Sequence, residues 1–327
     1  MAAIFYFGAN FCIDLFQALQ EFSQLCGSSE SDQVIAILPF WPRLYSVLAL
    51  DVEHRVREAA HIAHRAVLTK VKRNIAPYLK QLSGPWFVAQ CDTYAPAASA
   101  ASVAFNETFP AQKMSEAIAF CQEEILNYIY ENLVVHTPQT LCNAKTMTPE
   151  EIEAKYIRTV TSSLQGYGLY LSRLTSDQLH SAEELNRKLV SDSKYWKFSK
   201  HQSPQVRSAW FSALVALCQH AQFLVSGEEK RVGQAVFGSL DENESTVLPV
   251  VWEAALVALV AIDGLFQAVS FEKLMLPKLL KVCREGAKGS AAVIFPSLLP
   301  LLSKMPADIV KGETTFHQKF FTSIKQG

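Results

Sequence analysis

Along residues 51–70 the apolar positions Val52, Val56, Ala59, Ala60, Ala63 and Val67 recur at helical steps, with Arg55, Arg57, Glu58, His61 and Arg65 between them. That spacing predicts an amphipathic helix with one buried stripe and its other faces in water. Val71, Ile75, Leu79 and Leu82 carry the spacing onward, and Pro77 among them predicts a kink or a fresh helix start. Met114, Ile118, Cys121, Ile125, Tyr128 and Ile129 predict a further helix. Thr148-Pro149-Glu150-Glu151 reads as a capping box with proline in the first turn, opening a helix that sets Ile152, Tyr156, Val160, Leu164, Tyr167 and Leu171 on one face. Ser203-Pro204 opens another in the same manner, ahead of Val206, Trp210, Ala213, Leu214, Leu217 and Ala221, and a companion stripe runs from Val251 to Phe266. Pro249, Pro277, Pro296, Pro300 and Pro306 predict short, kinked or proline-started helices toward the C-terminus.

Two of these helix starts look alike. Val56-Arg57-Glu58-Ala59 and Val206-Arg207-Ser208-Ala209 share a Val-Arg pair with alanine two residues after the arginine, and Trp252-Glu253-Ala254-Ala255 is a weaker echo. Valine and alanine let antiparallel helices approach closely, while arginine on the rim can reach an acidic group in a neighbouring repeat. The pattern resembles the second helix of a HEAT repeat. Leu38-Pro39, Leu276-Pro277 and Leu299-Pro300 resemble the Leu-Pro of the first helix of such repeats, which run to ~40–47 residues. The expected fold is all-α, a HEAT/ARM-like α-solenoid of elongated helical repeats.

Composition supports a packed chain. Half of the 327 residues are hydrophobic and 19% are charged, which excludes a disordered polymer. The formal charge of −1 leaves no global field to draw nucleic acid or an anionic membrane. The seven cysteines form no Cys-x-x-Cys pair, which argues against a zinc finger or redox centre and for a reduced, cytosolic protein. Cys121, between Ile118 and Ile125, reads as a core position. Met1 to Ile13 is apolar but lacks the basic segment and cleavage site of a signal peptide. No apolar run reaches the ~18 residues of a membrane span.

The search for chemistry yields little catalysis. Glu58-x-x-His61-x-x-His64 has metal-like spacing, but without a second Glu-x-x-His it reads as a solvated polar face. Gly286-Ala287-Lys288-Gly289-Ser290 lacks the residue order of a phosphate loop and reads as a helix terminator. Cys218-Gln219-His220 points its thiol and imidazole in divergent directions. Charge says more. From Ala59 to Cys91 there is no acidic residue, and Arg65, Lys70, Lys72, Arg73 and Lys80 form a basic run with Trp86, Phe87 and Tyr94 nearby. Such a mix suits RNA or a ribosomal surface, against the plainer reading of a solvated helix face with buried aromatics. Glu107 to Glu153 reverses the balance, with eight glutamates against Lys113 and Lys145, and could attract different partners or help neighbouring repeats pack.

Leu38-Pro39-Phe40-Trp41-Pro42-Arg43, Arg55-Val56-Arg57-Glu58-Ala59, Ala76-Pro77-Tyr78-Leu79-Lys80 and Ala89-Gln90-Cys91-Asp92-Thr93-Tyr94 closely resemble the N-terminal region of the listerin family. The likeness continues through Ala117-Ile118-Ala119-Phe120-Cys121, Pro204-Gln205-Val206-Arg207-Ser208-Ala209, Ala216-Leu217-Cys218-Gln219 and Leu298-Leu299-Pro300. The resemblance implies a RING-type E3 ubiquitin ligase of ribosome-associated quality control, whose helical-repeat rod spans the 60S subunit. In that family the N-terminal domain docks beside the partner that senses peptidyl-tRNA, and a C-terminal zinc-binding RING recruits the ubiquitin-conjugating enzyme.

On this likeness, residues 15–327 are a listerin-type N-terminal repeat domain with a subdivision near 137–147, and residues 1–14 are a divergent or alternative N-terminus. The chain has no Cys/His array for RING zinc, so no cofactor and no catalytic site are expected in it, and it looks like a piece of a longer protein. The apolar stripe Phe316, Phe320, Phe321 and Ile324 is expected to await a following repeat. Expected partners are the 60S subunit, through RNA and protein, and the tRNA-sensing quality-control factor, with no membrane. The candidate contact residues are Lys70, Lys72, Arg73, Lys80, Gln90, Asp92, Thr93 and Tyr94. A HEAT scaffold outside quality control, such as a transport adaptor, is the alternative that periodicity alone permits.

Overall fold

The computed structural model describes residues 11–142, 147–305 and 314–327, and these form helices and turns with no strand among them. Most of the 1–14 stretch, together with Lys145 and Pro306, lies outside the described residues. The chain divides into two compact units, Met1–Leu185 and Asn186–Gly327. The division falls C-terminal to the 137–147 stretch, because helix Pro149–Arg173 packs back onto helix Leu79–Ala89 and belongs with it.

In the first unit, helix His54–Val71 lies between Phe11–Ser28 and Ala95–Thr108. Its Ala59, Ala60 and Ala63 and the facing Ala97, Ala101 and Ala104 are all buried. Small side chains on both partners allow the close approach predicted from the Val-Arg-x-Ala pattern. Helix Leu79–Ala89 packs on Gln122–Tyr130, where a Cβ on Gly84 would stand 2.6 Å from Cβ of Tyr128. Only glycine fits that crossing.

Local signals act as their chemistry predicts in several places. Lys72–Tyr78 is a 3-10 segment containing Pro77, so the kink becomes a change of helix type before Leu79–Ala89 begins. The Thr148 hydroxyl accepts from the Glu151 amide and the Glu151 carboxylate accepts from the Thr148 amide, closing the capping box of the 25-residue helix Pro149–Arg173. The helix expected from Met114 to Ile129 is two, Met114–Phe120 and Gln122–Tyr130. At Cys121 the amide donates to Ile118, an i→i+3 bond that tightens the turn while Ile118, Cys121 and Ile125 stay buried.

In the second unit, helix Pro204–His220 packs on Leu248–Ala261, which also meets Glu229–Gly238 and Ala291–Ser303. Trp210, Phe211, Phe237 and Trp252 fill the core between them. Pro249 and Pro277 sit in first turns, whereas Pro296 and Pro300 lie inside Ala291–Ser303. Gly286–Gly289 ends helix Leu276–Arg284 with four consecutive positive φ values, so this segment is the terminator its composition implies. Phe316 and Phe320 are already covered within the chain. They are buried against Phe271 and helix Leu276–Arg284, leaving Phe321 exposed.

The two Val-Arg signatures become the same clamp. The Arg57 guanidinium donates to the carbonyls of Asp51 and Val52, and through Nε and Nη2 to both carboxylate oxygens of Asp92. Arg207 donates to the carbonyls of His201 and Gln202 and to both carboxylate oxygens of Glu242. In each case the carboxylate lies 35 residues beyond the arginine, one repeat on. The acidic partner then accepts backbone amides of its own turn, Tyr94 for Asp92 and Glu244 for Glu242.

Candidate functional site

The basic run occupies the C-terminal end of helix His54–Val71 and the two segments after it. Lys70 reaches back to donate to the Ser29 carbonyl at 3.0 Å. Lys72, at φ 49°, and Arg73 open the 3-10 segment and are exposed, and no ion pair or side-chain hydrogen bond among the described residues engages either. Lys80 pairs with Glu124 at 3.0 Å and sits 5.4 Å over the Phe120 ring. That carboxylate holds the Lys80 ammonium above its usual range. Arg65 forks onto both carboxylate oxygens of Glu107. The acidic stretch therefore supplies counterions to the basic one, and the cationic surface it leaves centres on Lys72 and Arg73.

Trp86 and Phe87 cannot serve as stacking platforms for bases. Both are fully buried, and the Trp86 indole donates to the Ala101 carbonyl at 3.2 Å. Their sequence neighbourhood suggested a mixed cation and aromatic surface, but they point inward, where helix Ala95–Thr108 covers them.

The Gln90–Tyr94 segment lies elsewhere. Gln90 is half-buried with its carboxamide near the Phe87 carbonyl, Asp92 is occupied by Arg57, and Thr93 is exposed. The Tyr94 ring meets His54 edge-on at 4.3 Å and, with Phe16, Arg55, Glu58 and Ile62, lines a groove of about 400 Å³. His54 begins the 18-residue helix that Lys70 and Val71 end, so about 27 Å of helix separate the His54–Tyr94 contact from Lys72, while the groove runs along that helix as far as Ile62. The candidate residues thus form two surfaces, one at each end of helix His54–Val71.

His61 and His64 correct the reading of a solvated face, while Glu58 stays half-exposed beside the groove. Both histidines are fully buried. The Trp41 indole donates to Nδ1 of His64 at 2.9 Å, and the Tyr45 hydroxyl meets Nδ1 of His61 at 2.9 Å. Trp86 closes the cluster edge-on to His64 at 4.5 Å. Desolvation drives the His61 imidazolium pKa down to about 4, and burial likewise keeps His64 neutral. No group of three or more His, Cys, Asp or Glu side chains that could hold a metal occurs among the described residues. Burial also pushes the Cys121 thiol up to about 11 and Cys218 to about 12, so neither is a thiolate nucleophile near neutrality.

Arg158 went unread in the sequence. It donates to the carbonyls of Leu50 and Asp51, beside the Arg57–Asp92 clamp. Desolvation, then the neighbouring Arg57, lowers its guanidinium pKa to about 10. Its only sequence signal is a charge among the apolar positions of helix Pro149–Arg173, and its acceptors lie more than a hundred residues away.

Paired helices, alanine seams and arginine clamps repeating from one turn to the next define a HEAT-like helical-repeat protein. The family model for the N-terminal domain of the E3 ubiquitin-protein ligase listerin matches residues 16–305, and the chain belongs to that family. It is 45% identical over 311 residues to the E3 ubiquitin-protein ligase listerin of Gallus gallus, and 44% identical over 309 residues to that of Xenopus tropicalis. The listerin of Drosophila melanogaster is 34% identical over 316 residues. These alignments cover 95% or 94% of this chain but 18% of each relative, so the chain spans about a fifth of the length of the curated relatives it matches. No helix among the described residues is long and apolar enough to cross a membrane.

Proposed function

We propose that this chain is the ribosome-docking N-terminal region of a listerin-type E3 ubiquitin ligase acting in cytosolic ribosome-associated quality control. The observation that carries the reading is the family match across residues 16–305, with relatives named as ubiquitin ligases. The work of this region is binding. It engages 60S particles that hold peptidyl-tRNA, together with the factor that senses that tRNA, so that a RING elsewhere in the ligase can ubiquitinate the nascent chain. On this reading, recruitment of the ubiquitin-conjugating enzyme and the RING zinc belong to that other part.

Lys72 and Arg73 are the residues on which the docking rests. They are exposed cations that no carboxylate among the described residues neutralises, and such charges favour phosphate-rich RNA by counterion release. Lys72→Glu with Arg73→Glu should weaken co-sedimentation with stalled 60S particles, with a loss that grows as salt falls. Because Lys80 holds Glu124, Lys80→Glu is a separate variant that also breaks an internal pair. Unchanged sedimentation of a folded Lys72/Arg73 variant across a salt series would remove this surface from the docking account.

A further inference from the structure

The second unit carries a groove of about 1250 Å³, formed by the turn before helix Pro204–His220, by helix Glu229–Gly238 and by the turns at 238–243 and 267–270. It exceeds the ~300–1,000 Å³ of small-molecule sites, and its lining is mostly polar. Two kinds of side chain face it without internal partners. Lys200 and Lys230 are exposed, and no ion pair among the described residues involves either. Gln202, Gln234 and Gln267 are exposed, and their carboxamides make no hydrogen bond among the described residues. The acidic groups of the groove are, by contrast, already neutralised. Asp241 accepts from Lys278 at 2.6 Å and from Lys281 at 3.0 Å, and Glu242 is held by Arg207 at 2.9 Å.

We propose that this groove binds an extended acidic peptide segment of a protein partner. Each carboxamide offers one acceptor and two donors, the complement of the alternating N–H and C=O groups of an extended main chain. Three of them along one groove can fix a strand-like backbone, while Lys200 and Lys230 receive carboxylates on its side chains. Nucleic acid fits less well. Among the described residues no Phe, Tyr or Trp side chain lines the groove to stack a base, and its free polar groups are three carboxamides against two cations. The proposal is independent of the ribosome reading, since it concerns another unit and other residues.

The test uses the whole chain and fluorescence anisotropy of a fluorescein-labelled octapeptide with glutamate at alternate positions. Its glutamine counterpart and an oligouridine of equal charge serve as competing probes. The glutamate peptide should saturate, and Lys200→Glu with Lys230→Glu should weaken it by about tenfold, as loss and reversal of complementary charge requires. Gln234→Ala with Gln267→Ala should weaken it by about threefold at unchanged net charge. These side chains are exposed, so melting curves should match those of the parent. No saturation by the glutamate peptide, equal binding of the glutamine peptide, or tighter binding of oligouridine that the glutamine variants leave intact would each overturn the proposal.

Discussion

His61 and His64 show how a side chain's role depends on what covers it. On the sequence they share a helix face with Glu58 and resemble a ligand set, whereas in the fold they are neutral core groups among Trp41, Tyr45 and Trp86. With Nδ1 of His64 accepting from Trp41, its proton resides on Nε2, which has no hydrogen-bond partner among the described residues. Desolvation is the main cause of the depressed His61 pKa, with Asp92 opposing it and Arg57 adding to it. The folded protein therefore binds this proton less readily than the unfolded chain. Its contribution is full above the unfolded value of 6.5 and is lost as pH falls from there to about 4. On the order of 3 kcal/mol is at stake over that window. Thermal melts between pH 7.5 and 4.5 should show a falling midpoint, and His61→Gln should flatten the slope; an unchanged slope would mean that His61 does not supply the linkage.

At the scale of elements, the arginine clamps tie one helix pair to the turn of the next. The Arg57 and Asp92 side chains are only 3% and 6% exposed, so removal of one partner leaves a buried charge unanswered. Arg57→Ala should cost about 3–5 kcal/mol in urea unfolding. Arg207→Ala should cost less, because its pair is 13% and 10% exposed and water can reach the carboxylate left behind. The opposite order would show that the clamps do not differ by burial. The cap at Thr148 is a smaller and local device. Thr148→Ala forfeits the hydroxyl that satisfies the Glu151 amide, and should lower stability by about 1 kcal/mol while leaving the clamps intact.

Over the whole molecule, near-neutrality conceals an internal arrangement of charge. The acidic stretch folds against the basic one through Arg65–Glu107 and Lys80–Glu124, so an uninterrupted cationic run in sequence becomes a partly neutralised surface. Glu107→Gln with Glu124→Gln should unmask Arg65 and Lys80 and raise the salt needed to elute the chain from heparin, whereas Lys72→Glu with Arg73→Glu should lower it. Equal elution of all three would mean that these pairs do not govern the surface field. The sequence by itself determined the all-α class, the capping box at Thr148, the helix start at Pro204 and the arginine-to-acid clamp. Each rests on contacts within a few residues or on a pattern repeated at a fixed interval. The listerin-like strings were legible for the same reason, and the family match extends over them. Tertiary structure alone decided that Trp86, Phe87, His61 and His64 are interior, that Lys80 is paired while Lys72 has no ion pair among the described residues, and that Tyr94 lies a helix length from Lys72. Those outcomes depend on which helix covers which face, and helices meet through residues far apart in the chain, where periodicity gives a face its polarity but not its partner.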